Sequence, residues 1–365
     1  MIMINGAYLE GGVQIVRTAL ALSTITQESF EVHDIRKGRK DSGLKNQHLY
    51  CVKSLQELCN ADSEGAELGS TGLRYYPKKI IAKNLDIDIG TAGSITLLLQ
   101  ALLLPAMFVS KPITLAITGG TDAKWSMPFD YFNNVLLPQL QRFVRIEAKL
   151  LKRGYYPKGS GKVEIKINPK FKLNDFSDFN EFHDFLKQNI QPYDITEQHH
   201  LIQVKGVSHA SRELEKARVS ERQAHAAQGI LGRNFNVPIK ISSEYQDTFS
   251  TGSGITLWAI FSKDKNDIDE NNPVRIGADA LGEQGKKAEI VGQEAAQNLI
   301  KEIESKAPVD SHLADQILPF MALTRNSKIK VSEITNHCRA NIYTIQKFLG
   351  DVLTINEEEG IISAL

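Results

Sequence analysis

Cysteine and long apolar runs are both scarce in this sequence. Among its 365 residues only Cys51, Cys59 and Cys338 are cysteines. An odd number without metal-ligand spacing argues against a disulfide framework and favours a reducing compartment. No stretch approaches the roughly 18 to 20 apolar residues that cross a bilayer. The first residues also lack the charged region and apolar segment of a signal peptide. We therefore expect a cytoplasmic protein with no membrane partner.

Net charge is missing as well. Lysine and arginine together number 43, as do aspartate and glutamate, which argues against broad coating of a polyanion. One local basic patch lies between residues 36 and 45; it contains Arg36, Lys37, Arg39, Lys40 and Lys45, opposed only by Asp41. Most isolated charge runs are solvated loops, but a protein that grips only the end of a nucleic acid needs one such patch. No histidine pair has HExxH spacing, so a zinc site is not indicated.

Three segments of the chain repeat one order of signals. Each has a helical apolar period, a strand-like alternation, a second helical stretch and short extended stretches. These segments are residues 14–77, 86–167 and 313–365. Each segment predicts a four-stranded sheet covered by two helices, and stacking such units buries a shared interior.

Residues 176–307 interrupt this spacing and carry strands and helices of their own. The polar, aromatic-dotted stretch 168–185 predicts an irregular connector, and the stretch 263–273 a charged surface turn. We therefore predict an α/β (α+β) fold. Residues 1–175 and 308–365 form a large three-repeat domain, and residues 176–307 form a smaller inserted α/β domain.

The first helix of each repeat opens on polar residues. In EGGVQIVR (10–17), two glycines allow close backbone approach, and the helix start offers N–H groups to an anion. Glu10 could meet a divalent cation there, and Arg17 lies one turn into the helix. The commoner alternative is a glycine turn with a surface glutamate.

The other two repeats begin in a similar way. GTAGSITLLLQ (90–100) ends on Gln100 inside an apolar run, and HLADQ (312–316) places Asp315 and Gln316 at a helix start. A buried amide bonded to backbone is the ordinary explanation for the first, and helix-start preference for the second. The parallel placement of all three openings favours a shared site.

Two histidines are candidates for chemistry. His337 opens the helical stretch NHCRANIYTIQKFL, where the positive end of the helix dipole disfavours imidazolium. A neutral imidazole is what attack on phosphorus requires, although a histidine that merely caps the helix is the commoner case. For His48, beside the basic patch, a phosphate contact and a helix-start role are equally supported.

Taken together, these segments resemble the RNA 3'-terminal phosphate cyclase family along most of the chain. The matching blocks are EGGVQIVRTALALS, IRKGRKDSGLKNQHL, ELGSTGL, DIGTAGSITLLLQ, GGTDAKWSMPFDY, RGYYPKGSGKVE, LGEQGKKAEIVGQEAA, VDSHLADQ and ITNHCRANI. So many ordered blocks are highly specific. The match is weaker in the insert, above all between residues 168 and 205.

The resemblance implies three repeats with an inserted domain, and an ATP-dependent enzyme acting on RNA 3'-phosphate ends. In that family AMP passes from ATP to a histidine and then to the RNA 3'-phosphate. The neighbouring 2'-hydroxyl then attacks the phosphate and expels AMP, leaving a 2',3'-cyclic phosphate. A divalent metal, Mg²⁺ or Mn²⁺, accompanies ATP. A homodimer is one option for its assembly.

Carried over by position, the resemblance assigns roles to residues. His337 would be the nucleophile, and Glu10 would help to hold the metal. The nucleotide site would contain Arg17, Gln100, His312, Leu313, Ala314, Asp315 and Gln316. His312 stands where the family commonly has an aromatic that stacks on adenine, and Met127 or Pro128 would approach the other face. Phosphates of ATP or the RNA end would be held by Arg17, Arg36, Arg39, Gln47 and His48.

The chain departs from the family pattern GxGEGGGQ at its start. Here the segment reads AYLEGGVQ, which lacks glycines of that pattern, with Val13 in place of one of them, and this puts the shape of the first phosphate loop in doubt. Two rival functions remain: a ribosome-assembly relative that lacks the nucleophilic histidine, and an enolpyruvyl transferase. The presence of His337 favours the cyclase over the first, and the HLADQ stretch favours it over the second.

Overall fold

The structure is a computed structural model that describes residues 1–9, 12–38, 42–264 and 268–365. Within these residues the strands form four sheets of four strands each. Apolar side chains from all of these sheets and their helices belong to one continuous core. The predicted architecture of three repeated units and an inserted α/β unit is confirmed.

The first unit alternates strands and helices and ends in a strand pair. Its elements are β1 (Ile2–Asn5), α1 (Gln14–Thr26), β2 (Phe30–His33), α2 (Asn46–Cys59), β3 (Asp62–Glu64) and β4 (Leu73–Tyr76). The sheet order is β1-β2-β4-β3. The β1–β2 pair is parallel, and the other two pairs are antiparallel.

The second unit repeats this order. Its elements are β5 (Leu85–Asp88), α3 (Ile95–Ala106), β6 (Ile113–Gly119), α4 (Phe129–Tyr131), α5 (Leu137–Leu140), β7 (Val144–Lys152) and β8 (Gly161–Pro169). A π-helical stretch, Phe132–Leu136, joins α4 to α5. The sheet order β5-β6-β8-β7 has the same parallel pair followed by antiparallel pairs.

The third unit is divided in sequence. Its elements are β9 (Asp194–Ile195), α9 (Ser311–Met321), β14 (Lys328–Lys330), α10 (Asn336–Leu349), β15 (Leu353–Asn356) and β16 (Ile361–Ala364). Here β9 pairs in parallel with β14, as the first and second strands do in the other units. The inserted elements thus lie between the first strand and the first helix of this unit.

The insert is a second small α/β unit. Its elements are β10 (His200–Ser211), α7 (Val219–Asn234), β11 (Ile239–Gln246), β12 (Ser253–Ser262), β13 (Arg275–Leu281) and α8 (Ala288–Glu304). The sheet order is β11-β10-β12-β13. The limits 1–175, 308–365 and 176–307 stay a prediction, and we propose that the insert begins between β9 and β10.

The expected irregular connector at 168–185 is wrong in its second half, because residues Phe179–Asn189 form α6. Asp178 caps this helix by accepting a hydrogen bond from the Glu181 amide, 3.0 Å away. Phe182 and Leu186 are fully buried, and the Phe182 ring packs edge-on against Phe108 at 5.0 Å. A helical apolar period was therefore present among the polar residues.

Helix α1 lies at the centre of the three-unit assembly. Its residues from Gln14 to Ile25 are all buried, and it packs against α2, α3 and α10. Thr18 donates a hydrogen bond to Asn341 on α10 over 2.8 Å. The first unit is therefore covered by elements of the second and third.

The three cysteines are buried and free. Burial raises the pKa of Cys51 and of Cys338 to about 12, so both thiols are protonated and inert. Within the described ranges, no helix is both long enough and apolar enough to span a membrane.

Candidate active site

Side chains from the first helices of all three units form one hydrogen-bonded row. Arg17 Nε on α1 donates to Gln100 Oε1 on α3 over 2.7 Å. Gln100 Nε2 donates to Gln316 Oε1 on α9 over 2.5 Å, and Gln316 Nε2 donates to Asp315 Oδ1 over 2.8 Å. The parallel placement of these residues in sequence thus corresponds to direct contact in space.

His337 adjoins the end of this row. Its Nδ1 lies 3.8 Å from Asp315 Oδ2, and its side chain is 50% exposed whereas that of Asp315 is 9% exposed. The predicted helix start is confirmed: Thr335 caps α10 by accepting a hydrogen bond from the Cys338 amide over 3.2 Å. We call Arg17, Gln100, Gln316, Asp315 and His337 the cleft network.

The backbone around Asp315 is fixed by α10. Asn341 Nδ2 donates to the Asp315 carbonyl over 2.8 Å, and Asn341 in turn accepts a hydrogen bond from Thr18. Asn341 and Thr18 are both buried. The helix that carries His337 is therefore held in register with the carboxylate beside its imidazole.

His337 opens onto a basic cleft of about 860 Å³, which is lined by Arg17, Arg36, Lys45, Gln47, His48 and His337 among others. No carboxylate appears among its described lining residues. Arg36 has a left-handed backbone, with φ of 58°. The predicted phosphate contact Arg39 and the predicted metal ligand Glu10 lie outside the described residues. This cleft can attract and hold an anion by charge and hydrogen bonding.

His48 contributes to this cleft as a neutral group. The Lys45 amide donates to His48 Nδ1 over 2.8 Å, so the proton is on Nε2. Burial, reinforced by the charges of Arg17, Arg36 and Lys45, lowers the pKa of His48 to about 3. At neutral pH the ring therefore carries no positive charge, and its Nε2 lies 3.3 Å from Gln47 Nε2.

Arg17 is almost wholly buried at 8% exposure. Burial lowers its pKa, and the nearby Cys51 and Asp315 oppose that shift. An arginine stays protonated even so. Arg17 therefore places a fixed positive charge where the row of amides meets the cleft.

The predicted adenine contacts lie at two helix starts that are tied together. Pro128 precedes α4, and His312 lies in the first turn of α9. Tyr131 on α4 donates to Asp310 Oδ1 over 2.7 Å, and the same oxygen accepts from the His312 amide over 3.0 Å. Leu313 and Ala314 are fully buried in the core, so any ligand contact from them would come from the backbone.

The cavity beside Gln100, Met127 and Gln316 is about 30 Å³, room for about one water molecule. Adenine would need these side chains to move apart. Since Gln100 and Gln316 are bonded to each other, a nucleotide would exchange those bonds for its own.

A second polar cluster was not anticipated from the sequence. Arg153 Nη2 lies 2.8 Å from Asp130 Oδ2, and Arg153 Nη1 lies 3.2 Å from Asp122 Oδ2. His209 Nε2 lies 3.2 Å from Asp122 Oδ1, and His209 Nδ1 lies 2.7 Å from the Tyr155 hydroxyl. We call these five residues the Arg153 cluster.

The Arg153 cluster joins the second unit to the insert. His209 lies on β10, and Glu244 on β11 approaches Arg153 Nη2 at 3.5 Å. Burial alone raises the pKa of Asp122, but His209 and Arg153 outweigh it and hold that pKa well below its usual range. The sequence segments GGTDAKW and RGYYPKG contain Asp122 and Arg153, but nothing in them indicates that these two residues meet.

Asp122, Asp130 and His209 bring three potential metal ligands within 4.8 Å of one another. The Arg153 guanidinium, however, already pairs with both carboxylates, and Tyr155 engages the other ring nitrogen. These residues therefore do not fit a divalent cation.

Comparison with known proteins shows which family this sequence is similar to. The family model described as RNA 3'-terminal phosphate cyclase matches residues 8–355. The chain is similar to RNA 3'-terminal phosphate cyclase of Pyrococcus abyssi, at 41% identity over 99% of this chain and 96% of the relative. It is also similar to the proteins of that name from Pyrococcus furiosus, at 42% identity over 97% and 95%, and Methanosarcina mazei, at 41% over 99% and 98%.

Proposed function

The chain belongs to the RNA 3'-terminal phosphate cyclase family, and on that premise we propose that it closes RNA 3'-phosphates into 2',3'-cyclic phosphodiesters at the expense of ATP. The observation that carries this proposal is the position of His337. Its half-exposed imidazole lines a cleft that Arg17, Arg36 and Lys45 make positive, with the Asp315 carboxylate 3.8 Å from Nδ1.

In the first step, the His337 imidazole attacks the α-phosphorus of ATP. A P–N bond forms, the bond to the β-phosphate oxygen breaks, and pyrophosphate leaves. The Asp315 carboxylate favours the proton on Nδ1, which leaves the Nε2 lone pair for attack. Arg17 and Arg36 would offset the charge on the phosphates.

In the second step, an oxygen of the RNA 3'-phosphate attacks the AMP phosphorus and releases His337, giving RNA-(3')pp(5')A. In the third, the ribose 2'-hydroxyl attacks the 3'-phosphorus, loses its proton and expels AMP. A phosphate dianion by itself offers no good leaving group, which is why AMP is joined to it first. The ribose already holds its hydroxyl beside the phosphorus, so proximity favours closure.

ATP phosphates generally travel with a divalent cation that offsets their charge. The family resemblance assigns Glu10 to it, with Mg²⁺ or Mn²⁺ as the ion, and that assignment stays a prediction. Arg17, Arg36, Lys45 and the neutral His48 are the described groups that would bind phosphate oxygens in the cleft.

The test is incubation of the purified chain with α-labelled ATP. The wild type should form an acid-labile, alkali-stable protein–AMP adduct, and His337→Ala and His337→Asn should form none while keeping the wild-type denaturant midpoint. His33→Ala is a matched control, because the His33 side chain is also 50% exposed; it should adenylylate normally. An adduct on either His337 variant would overturn the assignment.

The same experiment separates the rival functions. A wild-type chain that forms no adduct would favour the assembly protein or the enolpyruvyl transferase. Added 3'-phosphorylated RNA should discharge the adduct and acquire a terminus that resists phosphatase. A 3'-hydroxyl RNA should leave the adduct intact.

A further inference from the structure

A second cleft continues from the basic cleft. Its volume is about 820 Å³, and its lining comes from the second unit, at Trp125 and Tyr156, and from the insert, at Thr251. The two clefts share Gln47, Leu97 and Trp125. A chain whose end lies in the basic cleft therefore has a continuous path past Trp125.

Three exposed aromatic rings accompany this path: Trp125 and Tyr156 line the second cleft, and Phe249 lies two residues before its lining residue Thr251. Trp125 is 91% exposed, Tyr156 78% and Phe249 58%. Large rings normally bury most of their surface, so this much exposed aromatic area at and beside one cleft indicates a binding surface. Trp125 also has a left-handed backbone, with φ of 63°, a costly conformation for a bulky residue.

The loops that carry Tyr156 and Phe249 are hydrogen-bonded to each other. The Arg153 amide donates to Gln246 Oε1 over 2.9 Å, and the Lys158 amide donates to Ser250 Oγ over 3.0 Å. These bonds flank Tyr156 on one loop and Phe249 on the other. Hydrogen bonds between the second unit and the insert thus fix the loops that carry Tyr156 and Phe249.

Lysines accompany the rings. Lys124 Nζ lies 5.5 Å from the centroid of the Trp125 ring, and Lys152 Nζ lies 4.0 Å from that of Phe249. Lys124 Nζ is also 2.9 Å from Glu283 Oε1, and such an exposed ion pair is easily exchanged for another partner. Exposed rings interleaved with cations are how proteins bind single-stranded nucleic acid without reading its sequence.

We propose that Trp125, Tyr156 and Phe249 are a stacking track for the single-stranded RNA that precedes the reacting 3' end. The proposal rests on the proposed function and names the form of its substrate. The terminal base would stack on Trp125, where the clefts meet, and preceding bases on Tyr156 and Phe249. Lys124 and Lys152 would pair with the intervening phosphates.

The first test is fluorescence, because the chain has only two tryptophans. Trp258 is 6% exposed, so quenching by a bound base should come from Trp125. A single-stranded RNA of about ten nucleotides should quench the wild type and not Trp125→Phe. A 3'-hydroxyl RNA should quench as well, since the track holds the body. Quenching by duplex RNA at equal concentration would overturn stacking.

The second test is kinetic. Tyr156→Ala and Phe249→Ala should each raise KM for the oligonucleotide 3'-phosphate about 5- to 100-fold, with KM for ATP unchanged. KM for a nucleoside 3'-phosphate should stay at its wild-type value in both. Tyr156→Phe and Phe249→Tyr keep the ring and should restore the wild-type KM. Ile290→Ala, an exposed apolar residue on α8, is the control and should change nothing.

The outcomes separate the two proposals. If the wild type cyclises a nucleoside 3'-phosphate and the oligonucleotide with equal KM, or the alanine variants leave the oligonucleotide KM unchanged, the track is wrong and the function stands. If RNA quenches Trp125 but no cyclic end forms, the function is wrong and the track stands.

Discussion

The cleft network and the Arg153 cluster are both built from charged and amide side chains that meet across units, yet they end differently. In the Arg153 cluster, Arg153 and Asp122 are almost fully buried and each is engaged by several partners. In the cleft network, the row of partners leads from buried Arg17 to a half-exposed imidazole. The closed cluster joins the second unit to the insert, whereas the open network leaves an imidazole facing solvent.

The closed cluster should respond to mutation chiefly through stability. Arg153→Met leaves Asp122 and Asp130 buried without their cation, which should cost about 3–5 kcal/mol of unfolding free energy. Urea denaturation measures this as a lower midpoint. Arg74→Met is the control: Arg74 is 48% exposed in its pairs with Glu31 and Glu64, so its loss should cost about 0–1 kcal/mol. Equal losses would remove the distinction between closed and exposed pairs.

The open network should respond through chemistry. Asp315→Asn keeps an acceptor for Gln316 but removes the charge beside His337 Nδ1. The adenylylation rate should fall on the order of 10²- to 10⁴-fold, by analogy with other carboxylate–histidine pairs, at an unchanged denaturant midpoint. Single-turnover labelling measures the rate, and Asp88→Asn, at the exposed last residue of β5, is the control. A wild-type rate would show that Asp315 does not position His337.

Gln100 tests the middle of the open row. Gln100→Ala removes the acceptor of Arg17 and the donor to Gln316, so ATP binding should weaken about 5- to 100-fold. Titration calorimetry measures this. As a control, Gln56→Ala on α2 removes an amide that is hydrogen-bonded to Ser63 and should bind ATP normally. Unchanged binding by Gln100→Ala, Asp315→Ala and Gln316→Ala alike would place the nucleotide elsewhere.

The smallest expected effect concerns His48, which should change how the free energy of unfolding depends on pH. In the unfolded chain the pKa of His48 is about 6.5, whereas in the folded chain it is about 3. Unfolding is therefore favoured as pH falls through this window, by about 1.4 kcal/mol per pH unit. In His48→Gln the loss of stability between pH 6 and pH 5 should be smaller by about that amount. An identical slope in the variant would show that His48 is not buried neutral.

The repeated units could be predicted because each depends on a strong local signal. The apolar period of α1, α3 and α9 is long, and the polar residues at their starts recur in order. Strand β9 has two residues, too few to show a period, and α6 was hidden by its polar residues. Local pattern alone therefore could not show how β9 belongs to the third unit.

In the candidate site, too, some contacts could be predicted from the sequence and others could not. Gln100, Gln316 and Asp315 were singled out because equivalent helices carry them, and their contacts follow from the symmetry of the units. The Arg153 cluster forms where residues of the second unit meet strands of the insert. Asp122 contacts His209, and Arg153 contacts Glu244. No spacing within one segment encodes that meeting. Exposure of Trp125 likewise depends on the path of the whole chain.

The central position of α1 has a consequence for how the molecule is made. Ribosomes add roughly 5 to 20 residues per second, so α10 emerges on the order of tens of seconds after α1. In the complete protein α1 is almost entirely buried. Until α10 is made, the face of α1 that contacts it stays exposed in the nascent chain. Such a face invites aggregation or chaperone capture. Translation that stops before α10 should therefore yield an insoluble fragment rather than a working first unit.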